Sequence, residues 1–262
     1  MYDFDPVETR DMLVAGIHRI ARQGGFNKVV IGISGGKDST VAAALCVRAL
    51  GKQNVYGVLL PDGVQDDIDD SYKVCETLGI PYTIINIDEM HDSLKNGIIL
   101  SLDHNHNMSI PFSEEADINV APRLRMTVLR YITQALGARL AGTGNLSEMT
   151  VGYCTKDGDT SCDFSVLGGL TSIEVVQVGL TMPEIPRELV LKTPSDGLSG
   201  MSDEEKLGVS YEDIHKYIRG LKGVPEDVKE KICKLQDRSS HKRRWPPIAS
   251  YTVHGNNLWE PF

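Results

Sequence analysis

Strand-like runs alternate with helix-like segments through the first 143 residues, and this alternation constrains the fold more than any other feature of the chain. Short β-branched and aliphatic runs predict four strands, at 28–33, 55–60, 82–87 and 138–143. Apolar residues at helical spacing predict helices at 7–22, 38–50, 66–78, 88–102 and 114–134. Pro122 must lie at the start of the last helix or kink it. Strands separated by helices form right-handed crossovers, so the prediction is an α/β fold around a parallel sheet.

The rest of the chain is less regular. Residues 150–169 and 192–206 have the polar, glycine-containing composition of long loops, and two further helices are predicted at 211–219 and 225–235. No linker separates two units, so we expect a single domain over residues 1–262.

Composition limits the partners of the chain. It has 27 basic and 36 acidic residues, a net charge of −9, which gives no overall field to attract nucleic acid or an anionic membrane. The aliphatic runs are far shorter than the ~20 residues that a bilayer span needs, and the first ten residues do not form a secretory signal. Five scattered cysteines are typical of reduced thiols. We therefore predict a cytoplasmic protein with no membrane or nucleic-acid partner.

A glycine-rich loop between the first strand and the next helix is the strongest functional signal. It comprises Gly32, Ile33, Ser34, Gly35, Gly36, Lys37, Asp38 and Ser39. Glycines let backbone N–H groups approach an anion, and the helix start adds donors, so the loop predicts a phosphate site. The spacing is not that of a Walker A loop, because Asp38 follows the lysine. A carboxylate beside phosphate donors favours a divalent cation between them. A capped turn without a ligand remains the alternative for the loop alone.

The string Ser-Gly-Gly-x-Asp-Ser at 34–39 resembles the loop of the ATP pyrophosphatases, the PP-loop family. This resemblance implies that the loop holds the β- and γ-phosphates of ATP as leaving pyrophosphate while a substrate oxygen attacks the α-phosphate. The loop is specific for the superfamily and not for one substrate.

Further segments are similar to those of the ammonia-dependent NAD synthetases. They lie at 119–126, 142–148, 152–159, 194–211 and 241–243. The resemblance implies a Rossmann-like, adenine nucleotide alpha hydrolase-like fold and a homodimer. It also implies the ATP-dependent amidation of deamido-NAD by ammonia through an acyl-adenylate, giving NAD, AMP and pyrophosphate.

The same resemblance implies roles for individual residues. Asp38 and Glu148 would hold Mg²⁺, and Asp159 would accept a proton from ammonium. Thr143 and Ser195, with loop residues 32–39, would bind ATP. Deamido-NAD would contact Arg123, Lys156, Asp163, His241 and Lys242. Taken singly, Glu148 could equally be a helix-start carboxylate, and Arg123 part of a solvated helix face.

The chain departs from the family pattern where an ATP-contacting lysine is expected, because Ser172 stands there. Lys37 could supply the missing charge. Two other functions stay open: another PP-loop ligase acting on a different carboxylate or nucleotide, and a non-catalytic nucleotide sensor. A chain of 262 residues is too short for the extra amidase domain of glutamine-using relatives, so ammonia is the expected nitrogen donor.

Overall fold

A computed structural model of the chain describes residues 2–104, 113–192 and 202–244. Its five-stranded sheet has the order β3-β2-β1-β4-β5, and every neighbouring pair is parallel. The strands are β1 (Val29–Gly32), β2 (Val55–Leu59), β3 (Tyr82–Ile84), β4 (Arg139–Gly142) and β5 (Phe164–Ser165). The predicted α/β fold with a parallel sheet is therefore confirmed.

The helices cover the sheet because its strands are apolar on both faces. Val29 and Ile31 of β1 pack into one buried cluster, whereas Val30 between them packs into another. This alternation buries both faces, as parallel sheets require. The helices are α1 (Pro6–Gln23), α2 (Lys37–Leu50), α3 (Ile68–Leu78), α4 (Asp88–His104), α5 (Glu114–Ile118), α6 (Val120–Ala135), α7 (Leu146–Val151), α8 (Ser172–Gly179), α9 (Arg187–Val190), α10 (Asp203–Leu207), α11 (Tyr211–Arg219) and α12 (Glu226–Arg238).

Each face has its own layer of helices. Helices α1, α2 and α8 pack together over one face, with Ile17, Val41 and Val175 in their shared core. On the other face α6 lies against β1 and β4 through Met126 and Leu129. A smaller cluster joins α7, α11 and α12 beyond the sheet.

One predicted helix is two helices in the structure. The segment 114–134 is interrupted at Asn119, which separates α5 from α6. Pro122 lies in the first turn of α6, where the missing N–H has no intrahelical partner to lose. The expectation that this segment contains a long helix with the proline at its start is confirmed by α6.

The described part of the chain contains no helix with the length and apolarity that a membrane crossing requires. The division of the whole chain into one domain stays a prediction.

Candidate active site

The loop after β1 forms a tight turn that only glycine fits. Gly35 has φ +74°, and a Cβ there would lie 2.7 Å from the Cβ of Asp70. The turn brings Ser34 Oγ to 3.1 Å from Ser39 Oγ. The N-cap residue of helix α2 is Gly36, so no side chain caps the start of the helix. Uncapped N–H groups at a helix start, next to hydroxyls, are the donors that a phosphate needs.

Two carboxylates at the edge of this loop are hydrogen-bonded to the same residue, Asn145. Asn145 is fully buried, and its Nδ2 donates to Asp38 Oδ1 at 3.1 Å. Its backbone N–H donates to Glu148 Oε2 at 2.9 Å, and its side-chain oxygen accepts from the Glu148 N–H at 3.1 Å, which is a capping box at the start of α7. One asparagine therefore positions both carboxylates that the sequence assigns to Mg²⁺.

Electrostatics favour a cation between these groups. Burial and the nearby charge of Asp38 raise the pKa of Glu148 to about 8, although Lys37 opposes the shift. A carboxyl group that is reluctant to ionise beside a like charge gains from a bound cation. No cluster of three or more His, Cys, Asp or Glu side chains in the described ranges could hold a metal alone. Two carboxylates completed by substrate phosphates are the usual Mg²⁺ environment, so the residues fit the ion.

A cavity of about 460 Å³ opens over the loop and the carboxylates. One part of its wall is apolar and includes Val58, Leu60, Met126, Leu129 and Leu140. Another part is polar and includes Ser34, Lys37, Asp38, Thr143 and Glu148. An apolar slot beside phosphate donors matches a nucleotide, with the base in the slot and the phosphates on the loop.

Asp159 also lines the cavity, from the loop after α7. Its Oδ1 accepts the N–H of Thr155 at 2.6 Å, which fixes the carboxylate. The side chain keeps accessible surface at the cavity, yet the protein atoms around it desolvate it and raise its pKa. A raised pKa makes a carboxylate a stronger base.

Sequence similarity shows the family to which the chain belongs. The family model described as NAD synthase matches residues 10–246. An NH₃-dependent NAD⁺ synthetase from Archaeoglobus fulgidus is 35% identical over 240 residues, which are 89% of this chain and 92% of that protein. The chain belongs to the NAD synthase family. A family member from Pyrococcus furiosus, also an NH₃-dependent NAD⁺ synthetase, is 36% identical over 258 residues, which are 93% of this chain and 94% of its own.

Solved structures share the fold of the chain. The NMN synthetase from Francisella tularensis superposes with a TM-score of 0.86 at 29% identity, over 95% of this chain and 100% of that one. The NH₃-dependent NAD synthetase from Campylobacter jejuni gives a TM-score of 0.74 at 24% identity, over 95% and 100%, and supports the fold alone.

The residues that the family resemblance assigns to ATP and the cation are brought together by the structure. Most of the loop, with Thr143, Glu148 and Asp159, lines the one cavity described above. Gly35 is the loop residue that is not part of this lining. Ile33 belongs to the lining, but it is buried and its N–H donates to Val58 O at 2.9 Å. Ser195 lies outside the described residues. The roles of all these residues stay predictions.

The five residues assigned to deamido-NAD do not line this cavity. Arg123 Nε donates to Lys156 O at 3.3 Å, so these two lie together near the Asp159 loop. Asp163 is engaged by Arg130 at 2.5 Å and by the Leu140 N–H at 2.7 Å.

The other two lie just after α12. Lys242 Nζ donates to Gly152 O and Cys154 O at 2.8 and 2.6 Å, whereas His241 is exposed. The five residues surround the loop after α7, and within one chain they do not converge on a single site.

Sequence reasoning did not assign roles to several cavity residues. The lining also contains Asp62, Gln65, Asp67, Arg125, Tyr153, Lys192 and Asp203. Asn145 could have been found, because an Asn three residues before a Glu at a helix start is a capping signature. The others come from separate loops and helices, and only the fold brings them together.

Proposed function

We propose that the protein catalyses the ATP-dependent amidation of deamido-NAD by ammonia, giving NAD, AMP and pyrophosphate. One observation carries the proposal: the phosphate loop, the Asp38–Glu148 pair and an apolar slot share a single cavity. Membership of the NAD synthase family and the activity of its relatives support the same reaction.

In the first step, the nicotinate carboxylate of deamido-NAD attacks the α-phosphorus of ATP, and the bond to the β-phosphate oxygen breaks. The loop N–H groups at Gly36 and the start of α2 hold the departing pyrophosphate. Asp38 and Glu148 would hold Mg²⁺, which when bound neutralises the charge developing on the phosphate oxygens. Asn145 keeps both carboxylates in place. The product of the step is an acyl-adenylate.

In the second step, ammonia attacks the activated carbonyl and AMP leaves. Ammonium must first lose a proton, and Asp159 is positioned to accept it at the cavity surface. Its raised pKa brings it closer to the ammonium pKa, which makes the transfer less unfavourable. The loop carrying Asp159 would close over the intermediate and exclude water.

The five deamido-NAD residues are predicted to act in a homodimer, because they lie around one loop and do not converge on the cavity of their own chain. Exposed apolar side chains on α4 and α6, including Leu94, Ile98 and Tyr131, offer surface for such a contact. Light scattering at working concentration should give twice the chain mass; a monomer that is fully active would contradict this arrangement.

The reaction is tested by mixing the protein with Mg²⁺, ATP, deamido-NAD and ammonium and identifying the products by ³¹P NMR. We expect equal amounts of AMP, pyrophosphate and NAD. ADP with orthophosphate would contradict the proposal, and nucleotide binding without turnover would favour a sensor.

A second candidate substrate is the corresponding mononucleotide carboxylate. The similarity to the Francisella tularensis NMN synthetase, with a TM-score of 0.86, favours testing it. The ratio of kcat/KM for the dinucleotide and the mononucleotide decides between them: the proposal expects the dinucleotide to be preferred by at least tenfold.

A further inference from the structure

Lys37 is a buried cation inside the phosphate loop. It is the first residue of α2, and only 4% of it is exposed. Lysine almost never reaches such burial without a partner. Its Nζ lies 2.5 Å from Asp38 Oδ2 and 5.7 Å from the centre of the Tyr211 ring. Because an ammonium has three donors and Asp38 takes one, it retains donors while it lines the cavity.

Both oxygens of Asp38 are engaged by donors. Oδ2 accepts from Lys37, and Oδ1 accepts from Asn145 at 3.1 Å. A divalent cation that binds Asp38 approaches these donors, and the positive charge of the Lys37 ammonium opposes it. Asn145 is fully buried and held by its capping box, whereas Lys37 has a flexible four-carbon stem. The ammonium is the donor that can move.

We propose that Lys37 is a tethered counter-ion that occupies Asp38 in the nucleotide-free protein and moves to the pyrophosphate portion of ATP when Mg²⁺ takes its place. This inference rests on the proposed function for the identity of the substrate, but its two binding events can be measured without turnover. In this pairing the ammonium lies against Asp38 Oδ2 and offsets the charge of that carboxylate. The released ammonium would then add a charge-assisted hydrogen bond to the departing phosphates.

The position of Ser172 is consistent with this role. Ser172 is the buried first residue of α8, and its N–H donates to Ser147 Oγ at 3.1 Å. Its short side chain supplies no charge to the cavity. Within the described part of the chain, Lys37 is the lysine of the phosphate loop.

The experiment uses Lys37→Met, which keeps an unbranched apolar stem and removes the charge. Lys73→Met is the matched control, since Lys73 lies on the surface in a pair with Glu188. Binding of Mn²⁺ alone is followed by the loss of its free EPR signal in the nucleotide-free protein. Binding of pyrophosphate in saturating Mg²⁺ is followed by calorimetry.

The two readouts should change in opposite directions. Relative to the wild type and the control, Lys37→Met should bind Mn²⁺ roughly tenfold more tightly and pyrophosphate roughly tenfold more weakly, as for the loss of one charge-assisted hydrogen bond. Lys37→Arg should restore most of the pyrophosphate affinity. A lysine needed only for folding would lower both affinities together.

Unchanged or weaker Mn²⁺ binding in Lys37→Met, or unchanged pyrophosphate affinity, overturns the proposal. If Lys37→Met does not fold, Lys37→Gln is measured in the same way and judged by the same outcomes. A wild type that shows both binding events but does not turn over deamido-NAD would refute the proposed reaction and leave the role of Lys37 standing.

Discussion

At the scale of single residues, the site depends on two carboxylates, and burial together with the nearby charge of Asp38 raises the pKa of Glu148. Asp38 and Glu148 come from α2 and α7, about a hundred residues apart in sequence, and Asn145 contacts both. Removing one carboxylate therefore changes the binding of the cation and also the electrostatic environment of the other carboxylate.

Replacing Asp38 by Asn should abolish most of the turnover. The amide keeps the shape but cannot supply the negative oxygen that holds Mg²⁺, so we expect kcat to fall by roughly 10²-fold or more, as when a main electrostatic contact is removed. Steady-state NAD formation measures this. Asp66→Asn, at an exposed carboxylate near the cavity, should keep its activity. Full activity in Asp38→Asn would refute the metal role.

The raised pKa of Glu148 predicts a pH-dependent stability of the metal-free protein. Its value is about 8 in the folded chain against an ordinary 4.5, so between these values the folded chain binds a proton that the unfolded chain has lost. The contribution of Glu148 to the free energy of unfolding therefore decreases as pH rises from about 4.5 to about 8.

Glu148→Gln removes this contribution. Its Tm minus that of the wild type, measured in EDTA, should increase between pH 5.5 and pH 8. Equal pH dependence of the two proteins would show that the carboxyl is not perturbed.

The residues of the site could be predicted from the sequence where they lie in a local motif with a known chemistry. The loop at 32–39 follows from its glycine spacing after a strand, and Glu148 follows from the family resemblance; apart from Gly35, these residues line one cavity. Asp62, Lys192 and Asp203 were not predictable, because each is an ordinary charged residue whose position depends on how distant loops meet.

At the scale of elements, the short helix α7 holds the site through its first turn. It has only six residues, so its start depends on the Asn145–Glu148 capping box more than on helix propensity. The same box presents Glu148 to the cavity.

Two substitutions of Asn145 separate capping from positioning. Asn145→Ala removes the cap and should cost about 1–2 kcal/mol of stability. Asn145→Ser keeps a capping hydroxyl, so its stability should stay nearer the wild type, but it loses the bond to Asp38. Both should need more Mg²⁺ for half-maximal activity. A wild-type Mg²⁺ requirement in Asn145→Ser would show that the bond to Asp38 does not position the carboxylate.

A buried ion pair joins α8 to α11. The Glu174 side chain is fully buried, and Arg219 donates to both of its oxygens, at 2.7 and 2.5 Å. Although burial opposes it, the bonds from Arg219 and Tyr2 hold the pKa of Glu174 below its usual value.

Arg219→Met should be strongly destabilising because it leaves this carboxylate uncompensated. Arg219 is a quarter exposed, so we expect the lower end of the usual range, about 3 kcal/mol, or a Tm lower by roughly 6–12 °C. Thermal unfolding measures the change. The double variant with Glu174→Gln should recover much of the loss; no recovery would assign the effect to lost packing of the arginine stem.

Helices and strands with a strong periodic pattern of apolar residues, such as α2 and β2, were predicted well. Elements with a weak pattern were not. Helix α8 and the two-residue strand β5 lie in segments whose local pattern is short, and their place depends on packing against α2 and β4. The break at Asn119 was missed because the apolar pattern continues across it.

At the scale of the whole molecule, the parallel sheet determines where the site can be. The carboxyl ends of β1, β2 and β4 lead into the phosphate loop, the segment after Leu60 and the Thr143–Glu148 segment, all of which line the cavity. Ligands of open parallel sheets bind at this edge. The topology was therefore enough to predict the location of the site, whereas the substrate required the family membership.

The central claim is that the carboxylate of the substrate attacks the α-phosphorus of ATP. The most direct measurement uses deamido-NAD with ¹⁸O in its carboxylate, unlabelled ATP, Mg²⁺ and ammonium, followed by mass spectrometry of the products. The account predicts one ¹⁸O in the phosphate of AMP and none in pyrophosphate. Unlabelled AMP, or label in orthophosphate formed with ADP, would contradict it.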